Sequence, residues 1–203
     1  MEIGGSRVPF GTDLIFAATD LPVSIDFEKG YGEDAAQVET NVARLINEAG
    51  AAGINIEDSI GAPKAPQFDL ATAASRVAAA RVAANKTGVP LVINARVDVL
   101  AGGGEWSDAV ARANAYLEAG ADVIFFLGLG TEELVSKALE EVNGKISVIG
   151  TPDGVPLKRL AELGVSRVSF GPQALGLTLA HLSAAAEQLT ALGDYPAELG
   201  FSY

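Results

Sequence analysis

The stretch Val23-Ser24-Ile25-Asp26-Phe27-Glu28-Lys29-Gly30-Tyr31-Gly32 contains the pattern that decides the fold. Its first six residues alternate between apolar and polar side chains, which is typical of a β-strand, and a glycine-containing turn follows at once. Alternation puts Ser24, Asp26 and Glu28 on one face of that strand. Two carboxylates therefore lie near the carboxyl end of the first recognisable strand, where parallel α/β sheets gather their functional groups.

The rest of the chain repeats a unit of one strand and one helix. Helical spacing of apolar residues, or alanine-rich sequence with polar faces, predicts helices between the strands. The predicted strands are Val23–Glu28, Ile54–Glu57, Leu91–Val97, Val123–Leu127, Ile146–Ile149 and Arg167–Phe170, and the clearest predicted helices are Ala36–Ala49, Leu70–Asn85 and Trp106–Ala119.

This alternation predicts a parallel sheet with right-handed crossovers, either a (β/α) barrel or an open doubly wound sheet. The polar residues at the strand ends favour the barrel. A dinucleotide-binding sheet needs a glycine-rich fingerprint after its first strand, and Gly30-Tyr31-Gly32 does not supply one. We therefore predict a TIM-type barrel, of which only six strands are recognisable.

The composition excludes several classes of chemistry. The 203 residues are 49% hydrophobic and show no linker, so we expect one domain over 1–203. The absence of cysteine excludes disulfides, thiolate nucleophiles and iron–sulfur ligation. A net charge of -12 without a basic cluster predicts no nucleic-acid partner. No apolar run is long enough to predict a membrane span, and we expect a cytoplasmic protein.

Three carboxylates form a candidate metal site. Glu57 ends the second predicted strand, so it can meet Asp26 and Glu28 if the two strands are neighbours. Buried acids on one face repel one another unless a cation or hydrogen bonds compensate, and an all-oxygen set favours Mg²⁺ or Mn²⁺ over zinc. The alternative is a set of ordinary solvated acids at strand ends.

The third predicted strand offers a candidate anion-binding residue. Asn94, Arg96 and Asp98 share one face, and a guanidinium at a barrel mouth can hold a carboxylate or a phosphonate through two parallel hydrogen bonds. The alternative is an internal salt bridge between Arg96 and the acids around it. The sole histidine, His181, falls in a C-terminal helical segment away from these strand ends, so serine–histidine chemistry has no support.

Taken together, these motifs resemble the isocitrate lyase and phosphoenolpyruvate mutase superfamily, in its mutase-like subgroup. The resemblance rests on Leu21–Gly32, Glu48–Asp58, Asn94–Asp98, Ala113–Phe125 and Leu163–Pro172, in that order. It implies a (β/α)₈ barrel, usually oligomeric, that binds Mg²⁺ or Mn²⁺ and stabilises a pyruvate-like enolate.

Several site residues follow from the resemblance. Asp26, Glu28 and Glu57 would form the metal site, some of them through water. Arg96 would bind the substrate together with Asn94 and Gly30, and Tyr31 would be a further catalytic residue. The implied function is a Mg²⁺-dependent lyase or phosphonate-type mutase that acts on a small 2-oxo carboxylate or phosphonate through a metal-bound enolate, as a homo-oligomer.

The sequence also departs from that family. The lyases carry a cysteine after the glutamate–aspartate pair, whereas the corresponding residues here, 59–66, contain none, and Leu127 stands where many members have a polar group. The family's opening strands have no counterpart, so we expect a barrel truncated at its N-terminus, with residues 1–20 as the remnant of a preceding helix. An oxaloacetate-type decarboxylase and a catalytically silent assembly unit are therefore the alternative functions.

Overall fold

A computed structural model describes residues 12–61 and 66–196 of the chain. Six strands form a single parallel sheet in sequence order, which is the order that repeated right-handed strand–helix units produce. The strands are β1 (Ser24–Asp26), β2 (Gly53–Glu57), β3 (Val92–Val97), β4 (Val123–Phe126), β5 (Lys145–Ile149) and β6 (Arg167–Ser169).

All six predicted strands are confirmed, and so is the TIM-type fold class. The sheet curls into a half-barrel, in which β1 and β6 each pair with a single neighbour among the described strands. The first strand is shorter than predicted, because the chain leaves the extended conformation after Asp26 and Glu28 adopts a left-handed φ of 46°. Glu28 therefore belongs to the following turn and not to the strand.

The helices begin and end close to their predicted limits. The predicted helix Ala36–Ala49 consists of an α-helix followed by a five-residue π-helical turn, Leu45–Ala49. Asp34, Asp69 and Thr131 cap three helices through their side chains. The helices are α1 (Thr12–Ala17), α2 (Ala35–Arg44), α3 (Leu70–Thr87), α4 (Trp106–Glu118), α5 (Glu132–Glu141), α6 (Leu157–Leu163) and α7 (Gln173–Thr190).

The core lies between the sheet and these helices. Large strand side chains such as Ile54, Ile93 and Ile146 are fully buried, and alanines of α3 that include Ala80 and Ala83 let the helix approach the sheet closely. Because side chains alternate along each strand, the opposite face of the sheet is left for polar groups. That face carries the candidate site.

None of the side chains of the last helix, α7, is buried, although the helix is eighteen residues long. Leu175, Leu177, Leu179 and Leu182 are all more than half exposed. Across the described residues, no helix is long and apolar enough to cross a membrane. The first half of the segment expected to be a helical remnant, residues 1–11, lies outside the described residues, as do 62–65 and 197–203.

Candidate active site

Strand register brings four of the predicted site residues onto one face at adjacent levels. Asp26 pairs with Asn55, which pairs in turn with Asn94, and Glu57 pairs with Arg96 one level nearer the carboxyl ends. This face is the concave, inner face of the half-barrel, since the alternate residues pack against the helices. The shared face therefore follows directly from strand alternation.

Arg96 joins two carboxylates on this face. Its Nη1 lies 2.6 Å from Glu57 Oε2, and its Nε and Nη2 donate to the two oxygens of Asp98 at 2.6 and 2.8 Å. The internal salt bridge considered above is thus present. These contacts use three of the five N–H groups of the guanidinium, so one N–H on each terminal nitrogen is left without a partner in the described part of the chain.

Asp98 is held in place by hydrogen bonds with two residues that follow β2, Asp58 and Ser59. It is fully buried, and its Oδ2 also accepts a hydrogen bond from Ser59 Oγ at 2.7 Å. Its backbone amide donates to Asp58 Oδ1 at 3.0 Å, while Tyr116 of α4 donates its hydroxyl to Asp58 Oδ2 at 2.9 Å. Burial raises the pKa of Asp58, and these hydrogen bonds together with Arg112 oppose the rise.

Burial also acts on Glu57, whose side chain is only 10% exposed. The loss of solvent raises its pKa to about 7, against the opposing charge of Arg96. Asp98, Asp26 and Glu28 raise the pKa further, in that order. Two of the predicted metal ligands, Asp26 and Glu28, therefore act electrostatically on the third, Glu57, although both are exposed.

Tyr31 lies in the turn after β1 with a left-handed φ of 50°. Its ring meets Phe27 edge-on at 5.5 Å, and its hydroxyl oxygen is buried with no hydrogen-bond partner of acceptable geometry among the described residues. Burial raises the pKa of Tyr31, and the carboxylates of Glu28, Asp26 and Glu57 raise it further. The phenol therefore stays protonated and keeps its O–H available to donate a hydrogen bond.

Two helix residues hold this turn through its main chain. Arg76 of α3, only 1% exposed, donates to the carbonyl oxygens of Lys29, Gly32 and Glu33, and stacks over Phe68 at 4.6 Å. Asn41 of α2 donates to the carbonyl oxygens of Gly30 and Tyr31, at 3.3 and 2.9 Å. The turn is therefore fixed by a buried donor, Arg76, and a half-buried donor, Asn41.

Gly30 and Asn94, predicted to bind substrate, have different surroundings. Gly30 is buried with a φ of 93°, and its N–H and C=O are both hydrogen-bonded within the fold. Asn94 donates its amide to Asn55 Oδ1 at 2.7 Å, and its own buried Oδ1 has no partner in the described part of the chain. Asn94 thus keeps a free acceptor, whereas Gly30 fills a packing position.

The donor chemistry of the acidic cluster fits a hard divalent cation, because every candidate ligand is a carboxylate oxygen. Within residues 12–61 and 66–196, however, no three such side chains are close enough together to bind one ion directly. Glu57 is held by Arg96, and the other two acids face solvent. The cluster therefore fits an ion that retains most of its water.

Sequence reasoning missed four residues that build the site: Arg76, Asn41, Ser59 and Asp58. Asp58 follows Glu57, so strand alternation alone directs it toward the helices, where a buried acid needs partners. Arg76 gave no signal, because its contacts are with a turn more than forty residues away. His181, by contrast, lies exposed on α7, away from the strand ends as expected.

Comparison with known proteins gives one family model that matches, described as phosphoenolpyruvate phosphomutase, over residues 11–190. The chain is 39% identical to 2-methylisocitrate lyase of Escherichia coli K12 over 109 residues, which cover 52% of this chain and 36% of that protein. It is 32% identical to oxaloacetate decarboxylase of Bradyrhizobium sp. BTAi1 over 193 residues, which cover 90% of this chain and 63% of that protein.

Solved structures agree with this result. A protein of Burkholderia cenocepacia J2315, provisionally described as a phosphonomutase, matches with a TM-score of 0.80 and 38% identity over 87% of this chain and 75% of that one. The chain spans less than two thirds of the length of the two curated relatives. The match over almost all of the described strands and helices shows that the chain belongs to the phosphoenolpyruvate mutase family of the isocitrate lyase superfamily.

Proposed function

We propose that this chain is a Mg²⁺- or Mn²⁺-dependent lyase or phosphonate-type mutase that forms the enolate of a small 2-oxo carboxylate. The observation that carries the proposal is the buried Glu57–Arg96–Asp98 array beside Asp26, at the carboxyl ends of neighbouring strands in a member of this family. Barrel enzymes place their chemistry at that end.

In the proposed reaction, Arg96 holds the substrate carboxylate with its two remaining N–H groups, and Glu57 and Asp98 fix the orientation of the guanidinium. Breaking the C–C or P–C bond leaves its electron pair on the 2-oxo acid as an enolate. The other fragment departs as the electron-poor partner: a carbonyl compound whose hydroxyl proton passes to solvent, or a phosphoryl group that the enolate oxygen takes up. The protonated Tyr31 donates a hydrogen bond to the enolate. A divalent ion beside Asp26, Glu28 and Glu57 would polarise the 2-oxo group.

Metal binding can be tested by titration with Mn²⁺. Asp26→Ala should weaken binding at least tenfold, because it removes one carboxylate of the cluster. Asp153→Ala, which changes an exposed acid on the loop after β5, is the matched control and should bind as the parent does. Equal affinity in Asp26→Ala and the parent would remove Asp26 from the metal site.

Substrate binding can be tested with oxalate, a mimic of the pyruvate enolate. We expect oxalate to inhibit competitively and Arg96→Lys to lower kcat/KM, because lysine retains the charge but loses the planar fork. An unchanged kcat/KM in Arg96→Lys would show that Arg96 acts in the internal salt bridge only.

A second candidate function is decarboxylation of a 2-oxo acid of the oxaloacetate type. The match to an oxaloacetate decarboxylase over 90% of the chain favours it, and the reaction forms the same enolate without a cysteine acid. Release of carbon dioxide from oxaloacetate, compared with cleavage of the P–C bond of phosphonopyruvate, distinguishes the two candidates.

A third candidate is a homo-oligomeric assembly unit without turnover. The exposed leucines of α7 support self-association, and a second copy of the chain is the partner that we propose for either kind of protein. Binding of Mn²⁺ without turnover of any 2-oxo acid would favour the assembly unit. Turnover by the purified chain would exclude it.

A further inference from the structure

The inner face carries a second arginine that the proposed reaction does not use. Arg167 lies on β6 and pairs in register with Ser147, which pairs with Phe125, which pairs with Arg96. The two arginines therefore stand at the same level of the concave face, three strands apart. Three steps of strand spacing separate their backbones by roughly 14 Å along the sheet, and less across its concave side.

The side chain of Arg167 is partly buried and held by neutral groups. Its Nη1 donates to the hydroxyl of the fully buried Ser147 at 3.3 Å, and its guanidinium lies 5.9 Å from the centre of the Phe125 ring. A hydrogen bond and an aromatic contact set the direction of the side chain without neutralising its charge. Within residues 12–61 and 66–196, most of its five N–H donors have no partner and are available to a ligand.

The charge balance of the face distinguishes the two arginines. The positive charge of Arg96 is already matched by Glu57 and Asp98. Arg167 forms no ion pair with any residue in the described ranges, although most of the other described arginines do. The net charge of the chain is -12, so an arginine on the concave face that is not paired with a carboxylate of the described residues provides a local positive charge that attracts an anion.

We propose that Arg167 binds a second acidic group of the substrate, at the opposite end of the substrate from the carboxylate held by Arg96. This inference rests on the proposed function and assigns to Arg167 the discrimination between 2-oxo acids with two anionic groups and those with one. The distal group is a carboxylate or a phosphonate, since both accept two parallel hydrogen bonds from a guanidinium.

The test compares ligands that differ only at the distal end. 2-Oxoglutarate and 2-oxopentanoate have the same chain length, and only the first carries a distal carboxylate; phosphonopyruvate tests a distal phosphonate. Binding is measured by calorimetry on the whole chain with Mg²⁺. We expect at least one of the two dianions to bind more tightly than 2-oxopentanoate, and Arg167→Met to weaken that dianion about tenfold or more.

The controls separate this role from a purely structural one. Arg167→Met should leave 2-oxopentanoate binding unchanged, and Arg167→Lys should restore part of the preference because it keeps the charge. Arg159→Met removes an exposed arginine paired with Glu132 and Glu162, so it changes the net charge equally and should leave the preference intact. Thermal melting checks that each variant is folded.

Two results would overturn the inference. One is a parent protein that binds neither dianion more tightly than 2-oxopentanoate. The other is an equal loss for both kinds of ligand in Arg167→Met, which would indicate that Arg167 only braces Phe125 and Ser147. If the protein prefers a dianion through Arg167 but turns over no substrate, the anion site is upheld and the proposed enzymatic function is contradicted. Failure of the inference and failure of the proposed function therefore give different results.

Discussion

The backbone amide of Asp98 donates a hydrogen bond to Asp58 Oδ1 at 3.0 Å, across the carboxyl ends of β2 and β3. Asp58 faces the helices, whereas its neighbour Glu57 faces the concave side. The same two-residue segment thus anchors α4 on one face and presents an acid on the other. A substitution of Asp58 should therefore affect both the stability of the protein and the geometry of the candidate active site.

Asp58→Ala should lower the free energy of unfolding by about 3–5 kcal/mol, because it leaves Arg112 and Tyr116 buried without their carboxylate. Tyr116→Phe is the matched control, since it removes only the hydroxyl's hydrogen bonds to Asp58 and from Arg112 and should cost about 1–2 kcal/mol. Urea unfolding of both variants checks the values. A loss for Asp58→Ala no larger than that for Tyr116→Phe would contradict the importance assigned to the buried acid.

The raised pKa of Glu57 predicts a pH-dependent stability in the presence of a chelator. The folded protein holds the proton up to about pH 7, whereas the unfolded chain releases it near the ordinary value of 4.5. Between these values the folded state binds more protons, so stability falls as the pH rises and is constant above the window. The fall attributable to Glu57 is at most about 3 kcal/mol.

Glu57→Gln tests that prediction, because glutamine does not titrate. The difference in unfolding free energy between parent and variant should change between pH 4.5 and 7 and stay level at higher pH. A difference that is flat across the whole window would show that Glu57 ionises at its ordinary value.

Gly30→Ala should destabilise the protein more than the same change at another left-handed glycine. A Cβ at Gly30 would meet Val38 Cγ2 at 2.9 Å, whereas a Cβ at Gly88, with a φ of 75°, would meet nothing within 4 Å. Both variants bear the backbone cost of about 1 kcal/mol, and only the first adds the packing cost of about 1–3 kcal/mol. Equal thermal shifts would show that Val38 adjusts freely.

The exposed leucines of α7 should be covered by a second copy of the chain. Leu175 and Leu182 lie seven residues apart on one face and are 60% and 64% exposed. Changing both to serine should reduce the mass measured by light scattering toward the 20.8 kDa of one chain. Leu157→Ser on α6, also exposed, is the control and should have no effect. An unchanged mass in the double variant would place the interface elsewhere.

The elements were predictable because each depends on residues close together in the chain. Alternation located all six strands, and it also placed Asp26, Glu57, Asn94 and Arg96 on one face. It failed at Glu28, because a left-handed residue begins the turn two positions before Gly30. A local sequence pattern cannot show where the strand ends, because the turn after β1 is fixed by hydrogen bonds from two distant helices, α2 and α3.

The partners of the polar residues were harder to predict. The sequence allowed Arg96 to bind either a ligand or its neighbouring acids, and the choice depends on side-chain distances across strands. The Asp58 network, and the absence of an ion pair at Arg167 among the described residues, depend on which helix and which strand lie opposite. Those arrangements follow from the packing of the whole sheet, and no single segment encodes them.

Arg76 holds the turn after β1 by its carbonyl oxygens alone. Hydrogen bonds to main-chain carbonyl oxygens do not depend on which side chains the turn carries. Gly30 and Gly32 are the exceptions, because a Cβ at either position would clash with α2. Lys29, Tyr31 and Glu33 could therefore be exchanged while the path of the backbone persists. The backbone of this turn is therefore fixed while its side chains can be substituted. Proteins that share this fold can differ in substrate selectivity through substitutions in this turn.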